Sequence, residues 1–542
     1  MVIFQMRNLL VSSLLLILFA ALLMPVGAVA HVGSPDVYFE GYAGSYHLLI
    51  TIRTPEVIPG VAQIQVRNLS NNSADIGEIA ILPVAMQGPG ADLAPRPDTM
   101  QRSPADPQIF NGNLWIMLRG SWKVQITVDG KQGKSVLAVP VAAVSMTAAH
   151  MNRGFGMLLG GLGFILVAAL VSIVRAANGE AQLSPGEKLN APLKRRSRIG
   201  MSIGIVVVLA ILIGGNLWWG SEASANERMT YHIPQVTPTL QSGNHLLLHL
   251  ENPNSKKSEG WEYSWTDRPR MGDLVPDHGH LMHLFLVRMP DMKSFWHLHP
   301  EQVQSSDGEF TAALPSLPAG HYQIFADVVH GSGFPETQIG SIDLPEINGA
   351  STAGDDSGNP DLSASETVAQ LSDGYHMVWE RDSAPLHAKQ PVLFRFRIED
   401  KDGKPATDLE NYMGMAGHAV FLGNGGKVFA HVHPEGSISM AALSLAQGQT
   451  IQKQAGTAGA NDKGGDASQP TAKSANGDSG NSSGNSNDMP GMNMMAHAGP
   501  SAEVSFPYGF PQAGDYRLFV QIKRAGRVET GSFTAHVDNP GI

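Results

Sequence analysis

Two continuous apolar runs divide this chain and limit how it can fold. Gly154–Val174 and Ile199–Trp219 are each long enough to cross a bilayer core of roughly 30 Å. The loop between them, 175–198, is rich in Lys and Arg, and the positive-inside rule assigns such a loop to the cytoplasm. We therefore expect a transmembrane hairpin in the inner or plasma membrane, with 31–150 and 220–542 on its periplasmic or extracellular side.

The N-terminus predicts export. A positive charge in Met1–Arg7 is followed by the apolar run Leu9–Leu23 and by Ala-Val-Ala at 28–30. This is the pattern of a secretory signal peptide, 1–30, cleaved before His31, and an uncleaved anchor is the alternative. The formal net charge of −11 argues mildly against nucleic acid as a partner. With no cysteine, the chain has no disulfide, no Cys-type zinc site and no thiolate copper site.

The regions outside the membrane predict a mainly β protein. Short runs alternate apolar and polar residues between Gly, Pro, Asn and Asp clusters, which is typical of antiparallel sandwiches. We expect three immunoglobulin-like β-sandwiches, at 31–150, 226–347 and 366–538, in addition to the two-helix transmembrane hairpin. A Gly/Ser/Asp-rich linker covers 348–365, and a polar low-complexity insertion, 448–500, is predicted to be disordered.

The last two sandwiches contain an internal repeat. FWHLHPE at 295–301 corresponds to FAHVHPE at 429–435, and HLFLV at 283–287 corresponds to HAVFL at 418–422. The same alignment pairs His280 with Met415. A repeat of this kind indicates duplicated architecture.

The repeated histidines predict a metal site in each copy. Alternate residues of a strand share one face, and a hairpin brings His283 beside His297 and His299. Imidazole suits copper, zinc, nickel or iron, and a nearby thioether favours Cu(I). The alternative is a structural corner in which the rings bond to the backbone. The candidate ligands are His280, His283, His297 and His299 in the first copy, and Met415, His418, His431 and His433 in the second.

A methionine cluster in the insertion is the most metal-specific signal in the chain. DMPGMNMMAH at 488–497 lies in a Gly/Ser/Asn-rich segment with no core to fill, so packing does not explain its thioethers. Closely spaced methionines with a histidine resemble the methionine motifs of periplasmic copper-handling proteins. The candidate ligands here are Met489, Met492, Met494, Met495 and His497.

The mature N-terminus offers a further candidate site. Cleavage before His31 leaves its α-amine and its ring available together. A second imidazole, such as His47, would complete a copper-binding histidine brace similar to that of periplasmic copper carriers and copper monooxygenases.

Both repeats resemble a known class of domain. Residues 279–301 with 310–329, and 417–436 with 510–523, resemble the YtkA-like and related heavy-metal-associated β-sandwich domains of bacterial envelope proteins. The resemblance implies an envelope location, an immunoglobulin-like sandwich and association with metal. The opening segment, 31–60, resembles an uncharacterised secreted bacterial domain, from which no activity follows.

Three hypotheses for function follow from these features. The first is a non-enzymatic, membrane-anchored, extracytoplasmic copper-binding protein for sequestration, tolerance or delivery, partnered by copper-handling envelope proteins, with another transition metal as the alternative cargo. The second is a non-catalytic interaction or scaffold module of an envelope complex. The third is a copper oxidase or monooxygenase that uses His31. The sequence has no phosphate-binding glycine loop, G-x-S-x-G or H-E-x-x-H motif to support other catalysis.

Overall fold

The computed structural model describes most of the chain outside its N-terminus and its low-complexity insertion. The described residues are 36–70, 75–87, 94–147, 151–181, 183–184, 186–228, 230–251, 271–304, 306–381, 383–423, 425–449, 451 and 501–539. The predicted signal peptide, His31 and the methionine cluster lie outside them. The part described is mainly β, with three two-layer sandwiches and a pair of long apolar helices. The fold class predicted from the sequence is confirmed.

Sandwich 1 covers the described residues up to 147. Its strands are β1 (Val37–Ala43), β2 (Tyr46–Arg53), β3 (Gly60–Asn68), β4 (Ile76–Ala85), β5 (Asp98–Thr99), β6 (Gln101–Arg102), β7 (Ile109–Ile116), β8 (Gly120–Gly130) and β9 (Gly133–Ala143). One sheet has the order β1-β2-β3-β7-β6 and the other β5-β4-β8-β9. In β3, Ala62, Ile64 and Val66 are buried and their neighbours are more exposed, because alternate residues face the core.

Two long helices follow sandwich 1. They are α1 (Arg153–Glu180) and α2 (Ala191–Arg228). The Asn152 side chain caps α1 by accepting from the backbone N–H of Gly154 at 2.9 Å. The helices pack as a hairpin, in which the Ser197 hydroxyl donates to the Arg175 carbonyl at 2.8 Å. Both helices are long and apolar enough to cross a membrane, and the apolar stretch of each is exposed.

Sandwiches 2 and 3 follow α2 and share one plan. Sandwich 2 contains β10 (Val236–Gln241), β11 (His245–Leu250), β12 (Leu274–Val275), β13 (His283–Met289), β14 (Phe295–Leu298), β15 (Glu301–Gln302), β16 (Glu309–Ala313), β17 (Gly320–His330), β18 (Pro335–Leu344) and β19 (Ser357–Asn359). Its sheets have the orders β10-β11-β16-β15 and β12-β17-β13-β14-β19, with β18 paired to β17. Strand β19 belongs to the segment predicted as a linker.

Sandwich 3 repeats this arrangement around the insertion. Its elements are β20 (Val368–Gln370), β21 (His376–Glu380), β22 (Leu386–His387), β23 (Val392–Glu399), β24 (Leu409–Glu410), β25 (His418–Gly423), β26 (Val428–Val432), α3 (Met440–Ala446), β27 (Glu503–Tyr508), β28 (Gly514–Arg524) and β29 (Arg527–Asp538). Its sheets have the orders β20-β21-β23-β27 and β22-β29-β28-β25-β26, with β24 paired to β28.

The two repeats pack sheet against sheet. In β13, Leu284 and Leu286 face the core of sandwich 2, whereas Phe285 and Val287 join an apolar cluster shared with sandwich 3. Two stacked ring pairs cross this interface, Phe295 on Phe519 at 4.3 Å and Phe325 on Phe429 at 4.2 Å between centroids. Both faces of the repeated strands are therefore buried, and side chains on the interface face of one repeat meet those of the other.

The shared aromatic cluster predicts the effect of truncating it. Phe429→Ala removes a buried ring from the interface and is expected to destabilise the protein by about 3–5 kcal/mol. The measurement is the urea unfolding midpoint of the purified full chain in detergent. Phe164→Ala, at an exposed position on α1, is the control. Equal midpoints for the two variants would contradict the interface.

Candidate metal centre

Histidines from both repeats meet at one end of the sandwich interface. The sequence predicted a site in each copy, whereas the structure gathers the rings of both copies into one cluster. Neighbouring ring centroids lie 4.0 Å apart for His280 and His299 and 5.5 Å apart for His418 and His431. In the described part of the chain, the histidine cluster consists of His278, His280, His283, His297, His299, His418, His431 and His433.

Strand alternation positions these rings. His297 and His299 continue the face of β14 that Phe295 begins, and Phe285 of β13 pairs directly with His297. His283 lies two residues before Phe285 in the sequence and on the same face of β13. Its ring centroid is 5.3 Å from that of His297 and 5.0 Å from that of His299. The proximity that the hairpin predicted is present.

Two triads of ring nitrogens are compact enough to hold a metal ion. Triad A is His283, His297 and His299, all from sandwich 2, and triad B is His278 with His418 and His433. In each triad one nitrogen from every ring lies within 4.8 Å of the others. His431 lies between the triads, at 5.4 Å from His283 and 5.5 Å from His418 between centroids.

Oxygen acceptors orient the two outer histidines of the HxH motifs. His299 Nδ1 lies 2.9 Å from the Asp356 carboxylate, and His433 Nδ1 lies 2.8 Å from the Ile438 carbonyl. Both contacts place the ring hydrogen on Nδ1 and leave Nε2 with a lone pair. Each of these Nε2 atoms is buried and has no hydrogen-bond partner among the described residues. This is the arrangement of a metal-ligating histidine, whose second nitrogen donates to an oxygen.

The two central histidines are oriented by the opposite sandwich. Gln521 of sandwich 3 contacts His297 Nδ1 at 3.0 Å, and Asp327 of sandwich 2 contacts His431 Nδ1 at 3.3 Å. Asp327 and Gln521 occupy equivalent positions, because they pair with His283 and His418 respectively. The repeats therefore exchange side chains across the interface to fix the middle ring of each motif.

Lone pairs on His283 Nδ1 and His297 Nε2 face each other. His283 Nε2 lies 3.1 Å from the Asp277 carbonyl oxygen, which only accepts, so Nε2 carries the hydrogen. His297 Nδ1 faces Gln521 Oε1, which accepts in the amide orientation that directs the Gln521 nitrogen to two hydroxyl groups. The Tyr412 hydroxyl donates to the Asp355 carbonyl and accepts from the same His297 Nδ1 at 3.2 Å. A neutral imidazole has one N–H. His283 Nδ1 and His297 Nε2 are therefore both acceptors, 3.0 Å apart.

Among the described residues, more ring nitrogens lack a hydrogen-bond partner in triad B than in triad A. In the described structure, neither ring nitrogen of His418 has a hydrogen-bond partner, although the residue is only 1% exposed. Among the residues described, His278 Nε2 is likewise buried without a hydrogen-bond partner, and it lies 4.0 Å from the Asp277 carboxylate. Leaving a buried polar atom unpaired costs about 1–3 kcal/mol, so a ligand at these nitrogens would be stabilising.

Burial disfavours the charged form of six rings of the cluster. Desolvation, reinforced by the neighbouring rings, lowers the pKa of His278 to about 4, and desolvation also lowers the pKa of His433 to about 4. The same causes hold the pKa values of four other rings well below the usual range: His283, His297, His418 and His431. Their lone pairs are therefore available at neutral pH, as metal binding requires.

His280 and Met415, which the repeat alignment pairs, lie in different surroundings. His280 is partly exposed, stacks on His299 and has Nε2 3.6 Å from the Asp355 carboxylate. Met415 is buried in an apolar cluster that also contains Phe39 of sandwich 1. Asp355 and Asp356 both come from the segment predicted as a linker.

The remaining predicted ligands are not near this cluster or are not described. His47 lies on β2 of sandwich 1, with Nε2 3.0 Å from the Glu40 carboxylate and its ring stacked on Tyr42. The structure does not bring it to a second imidazole among the described residues. Its proposed partner His31 and the insertion ligands lie outside the described residues, namely Met489, Met492, Met494, Met495 and His497.

His278 is the cluster member that the sequence reasoning missed. It occupies a turn with φ of 50°, followed by Gly279 at 87°, and Met413 and Gly414 repeat this turn with φ of 50° and 82°. HGH at 278–280 is therefore the counterpart of MGM at 413–415. Extending the repeat alignment two residues before His280 would have found it.

Comparisons with known proteins match a family of unknown function and many solved structures of low similarity. A family model described as a domain of unknown function (DUF8832) matches residues 241–338, 368–461 and 490–539, a little under half of the chain. The matched ranges include both HxH motifs and, of the methionine cluster, all the candidate ligands except Met489. No curated protein matches.

The matched solved structures include proteins built from repeated modules. A tetra-tandem repeat from the extending region of a large adhesion protein has 7% identity and a TM-score of 0.15, covering 90% of this chain and 72% of that one. Fibronectin(III)-like modules of CbhA from Clostridium thermocellum have 9% identity and a TM-score of 0.11, covering 56% and 95%. Both scores are too low to support a common fold for the whole chain.

The buried histidines predict that acid destabilises the metal-free protein. Unfolded histidines take up a proton near pH 6.5, whereas His278 and His433 resist protonation until about pH 4. Between these values the unfolded chain binds more protons. The rings should therefore lower stability as the pH falls, by about 1.4 kcal/mol per pH unit for each such histidine. Asp327 and Asp36 offset part of this, because burial raises their pKa values to about 7 and about 6 and the folded chain takes up their protons over the same range. Thermal unfolding of the chelator-treated chain from pH 7.5 to 4.5 measures this, and a flat profile would contradict it.

The His418 ring is expected to lower the stability of the metal-free chain while it provides a metal ligand. His418→Leu removes an imidazole with two unpartnered nitrogens, so the metal-free chain is expected to gain about 1–3 kcal/mol of stability. Thermal unfolding of the metal-free protein at pH 7.5 is the measurement. His321→Leu, at an exposed ring bonded to Asp343, is the control and should change little. A lower midpoint for His418→Leu would show that this ring has a structural role.

Proposed function

We propose that this chain is a membrane-anchored, extracytoplasmic protein that binds copper in the histidine cluster between sandwiches 2 and 3. The observation that carries the proposal is the pair of facing lone pairs on His283 Nδ1 and His297 Nε2, 3.0 Å apart. Two acceptors at this separation repel each other unless a cation lies between them. Two nitrogens bound at about 2.0 Å to one tetrahedral ion are themselves roughly 3.3 Å apart, which is close to this separation.

A proton is a poor alternative to the metal ion. Burial and neighbouring rings lower the pKa of both His283 and His297 well below the usual value, so an extra proton is disfavoured at neutral pH. A metal ion loses its bound water when it enters this buried site. Bonds to His283, His297 and, as a third ligand, His299 Nε2 would replace that water. The Nδ1–H of His299 remains on Asp356, which fixes the ring.

The ligand chemistry favours Cu(I) over a divalent ion. Every ligand atom in triad A is a neutral nitrogen, and the self-energy of a buried ion rises with the square of its charge, so Cu(I) costs about one quarter as much to bury as Zn²⁺. Methionine is the soft ligand that this cysteine-free sequence supplies in quantity, at 23 residues. The resemblance of both repeats to heavy-metal-associated sandwich domains supports the same proposal.

The two apolar helices support the location. Both exceed the length needed to cross a bilayer core, and the basic loop between them orients the hairpin with its ends outside the cytoplasm. Sandwiches 1, 2 and 3 would then all lie on the extracytoplasmic side. The bound copper would be available to other envelope proteins for sequestration, tolerance or delivery.

The test is a competitive titration of Cu(I) and Cu(II) into the purified full chain, produced without a His-tag. Tight Cu(I) binding is expected, and His297→Ala with His299→Ala should weaken it by at least about 100-fold. His321→Ala with His536→Ala removes two exposed histidines outside the cluster and is the matched control. Weak binding that the cluster variants leave unchanged would favour the scaffold hypothesis, in which the histidines are structural.

A further inference from the structure

A cavity of about 160 Å³ adjoins the histidine cluster on the side where sandwich 1 contacts the two repeats. Its wall takes residues from all three sandwiches and from the segment that follows α2. Glu40 N–H donates to the Glu435 carbonyl at 2.8 Å where sandwiches 1 and 3 meet. The wall includes Val144, Tyr231, Asp327, Pro335, Glu336 and His431.

Exposure falls along the wall of this cavity. Pro335 is exposed and Val144 and Met146 are half-buried, whereas His283 and His433 are each only 2% exposed. The cavity therefore runs from the protein surface to rings of both triads. At the inner end it is bounded by His283 of triad A, by His433 of triad B and by the intermediate His431.

Carboxylates line the part of the wall nearest the rings. Asp327 Oδ2 holds His431, while its Oδ1 is buried and has no hydrogen-bond partner in the described structure. Glu336 accepts from the Gln338 amide at 2.7 Å and lies 3.7 Å from His330. Asp277 is 5% exposed. Burial raises the pKa of Asp327 to about 7 and also raises that of Asp277, so only part of this negative charge is present at neutral pH. A carboxylate in a narrow, low-dielectric cleft still attracts cations, whereas the cluster beyond offers only neutral nitrogens.

The outer part of the cavity lies close to the membrane helices. Tyr231, in the wall, is three residues beyond the end of α2 and therefore within roughly 11 Å of it along the chain. Its backbone N–H donates to the Ser145 carbonyl at 2.7 Å, which joins this segment to the one leading into α1. Val144 and Met146 lie on either side of Ser145.

We propose that this cavity is the route by which the metal ion reaches the histidine cluster, entering past Val144 and Pro335 on the side next to the membrane. The proposal rests on the proposed function, since it presumes that the cluster binds copper. Asp327 and Glu336 form a transient binding site that attracts the hydrated cation and replaces part of its water. The ion then passes to the rings through His431, which contacts Asp327 and lies between the two triads.

The experiment separates the rate of loading from its endpoint. Cu(I) is presented to the purified full chain as a coloured chelator complex, and stopped-flow absorbance follows its transfer. Val144→Trp, which fills the mouth, is expected to slow loading by about 10-fold or more while the final stoichiometry stays at the wild-type value. Val136→Trp, at an exposed position on β9 outside the cavity, is the control and should load at the wild-type rate.

Glu336→Gln tests the charge separately from the shape. It is expected to slow loading several-fold at low ionic strength and less at high ionic strength, because salt screens the attraction. Wild-type loading rates in both Val144→Trp and Glu336→Gln would overturn the route even if copper binds tightly. A wild-type chain that takes up no copper would overturn the proposed function itself. An unchanged endpoint with a slowed rate also shows that the variants are folded.

Discussion

Burying uncharged imidazoles between two sheets is the constraint on which the rest of this structure depends. Each neutral ring has one N–H, and each buried N–H requires an acceptor. For His297 and His431 that acceptor comes from the other sandwich, so the rings are oriented only when the repeats are docked. The stacked pairs Phe295–Phe519 and Phe325–Phe429 hold the sheets together further along the same faces. Docking of the two sandwiches therefore also orients the candidate ligand nitrogens.

Duplication followed by divergence explains why the two triads differ. The repeats share the HxH motif and the turn before the first strand, but the turn carries His278 in one copy and Met413 in the other. Triad A therefore lies within sandwich 2, while triad B takes its third ring from across the interface. An ion in triad B would stabilise the docked arrangement as well as being bound by it.

The sequence predicts the local geometry better than the long-range geometry. Two-residue alternation places His297 and His299 on one face, and the short hairpin places His283 beside them, because strand pairing determines both. The packing of the two repeats into one histidine cluster could not be predicted in this way, because the periodicity of a strand does not specify which sheet a second domain packs against. The run HLFLV did carry a signal, because a strand without polar alternation is buried on both faces. Asp327 and Gln521 were unpredictable for the same reason: their partners lie on the other domain.

Asp277 connects the cluster to the part of the chain that carries the methionine motif. Its carbonyl accepts from His283, and its carboxylate accepts from the Ala441 N–H at 2.8 Å in the first turn of α3. Ile451, five residues past that helix, packs with Ala441 in a small apolar cluster. Ile451, the last described residue before the methionine motif, therefore lies near the histidine cluster. If the cluster binds Cu(I) as proposed, the methionine motif supplies soft donors that suit exchange of the ion with neutral imidazoles, because both are uncharged ligands.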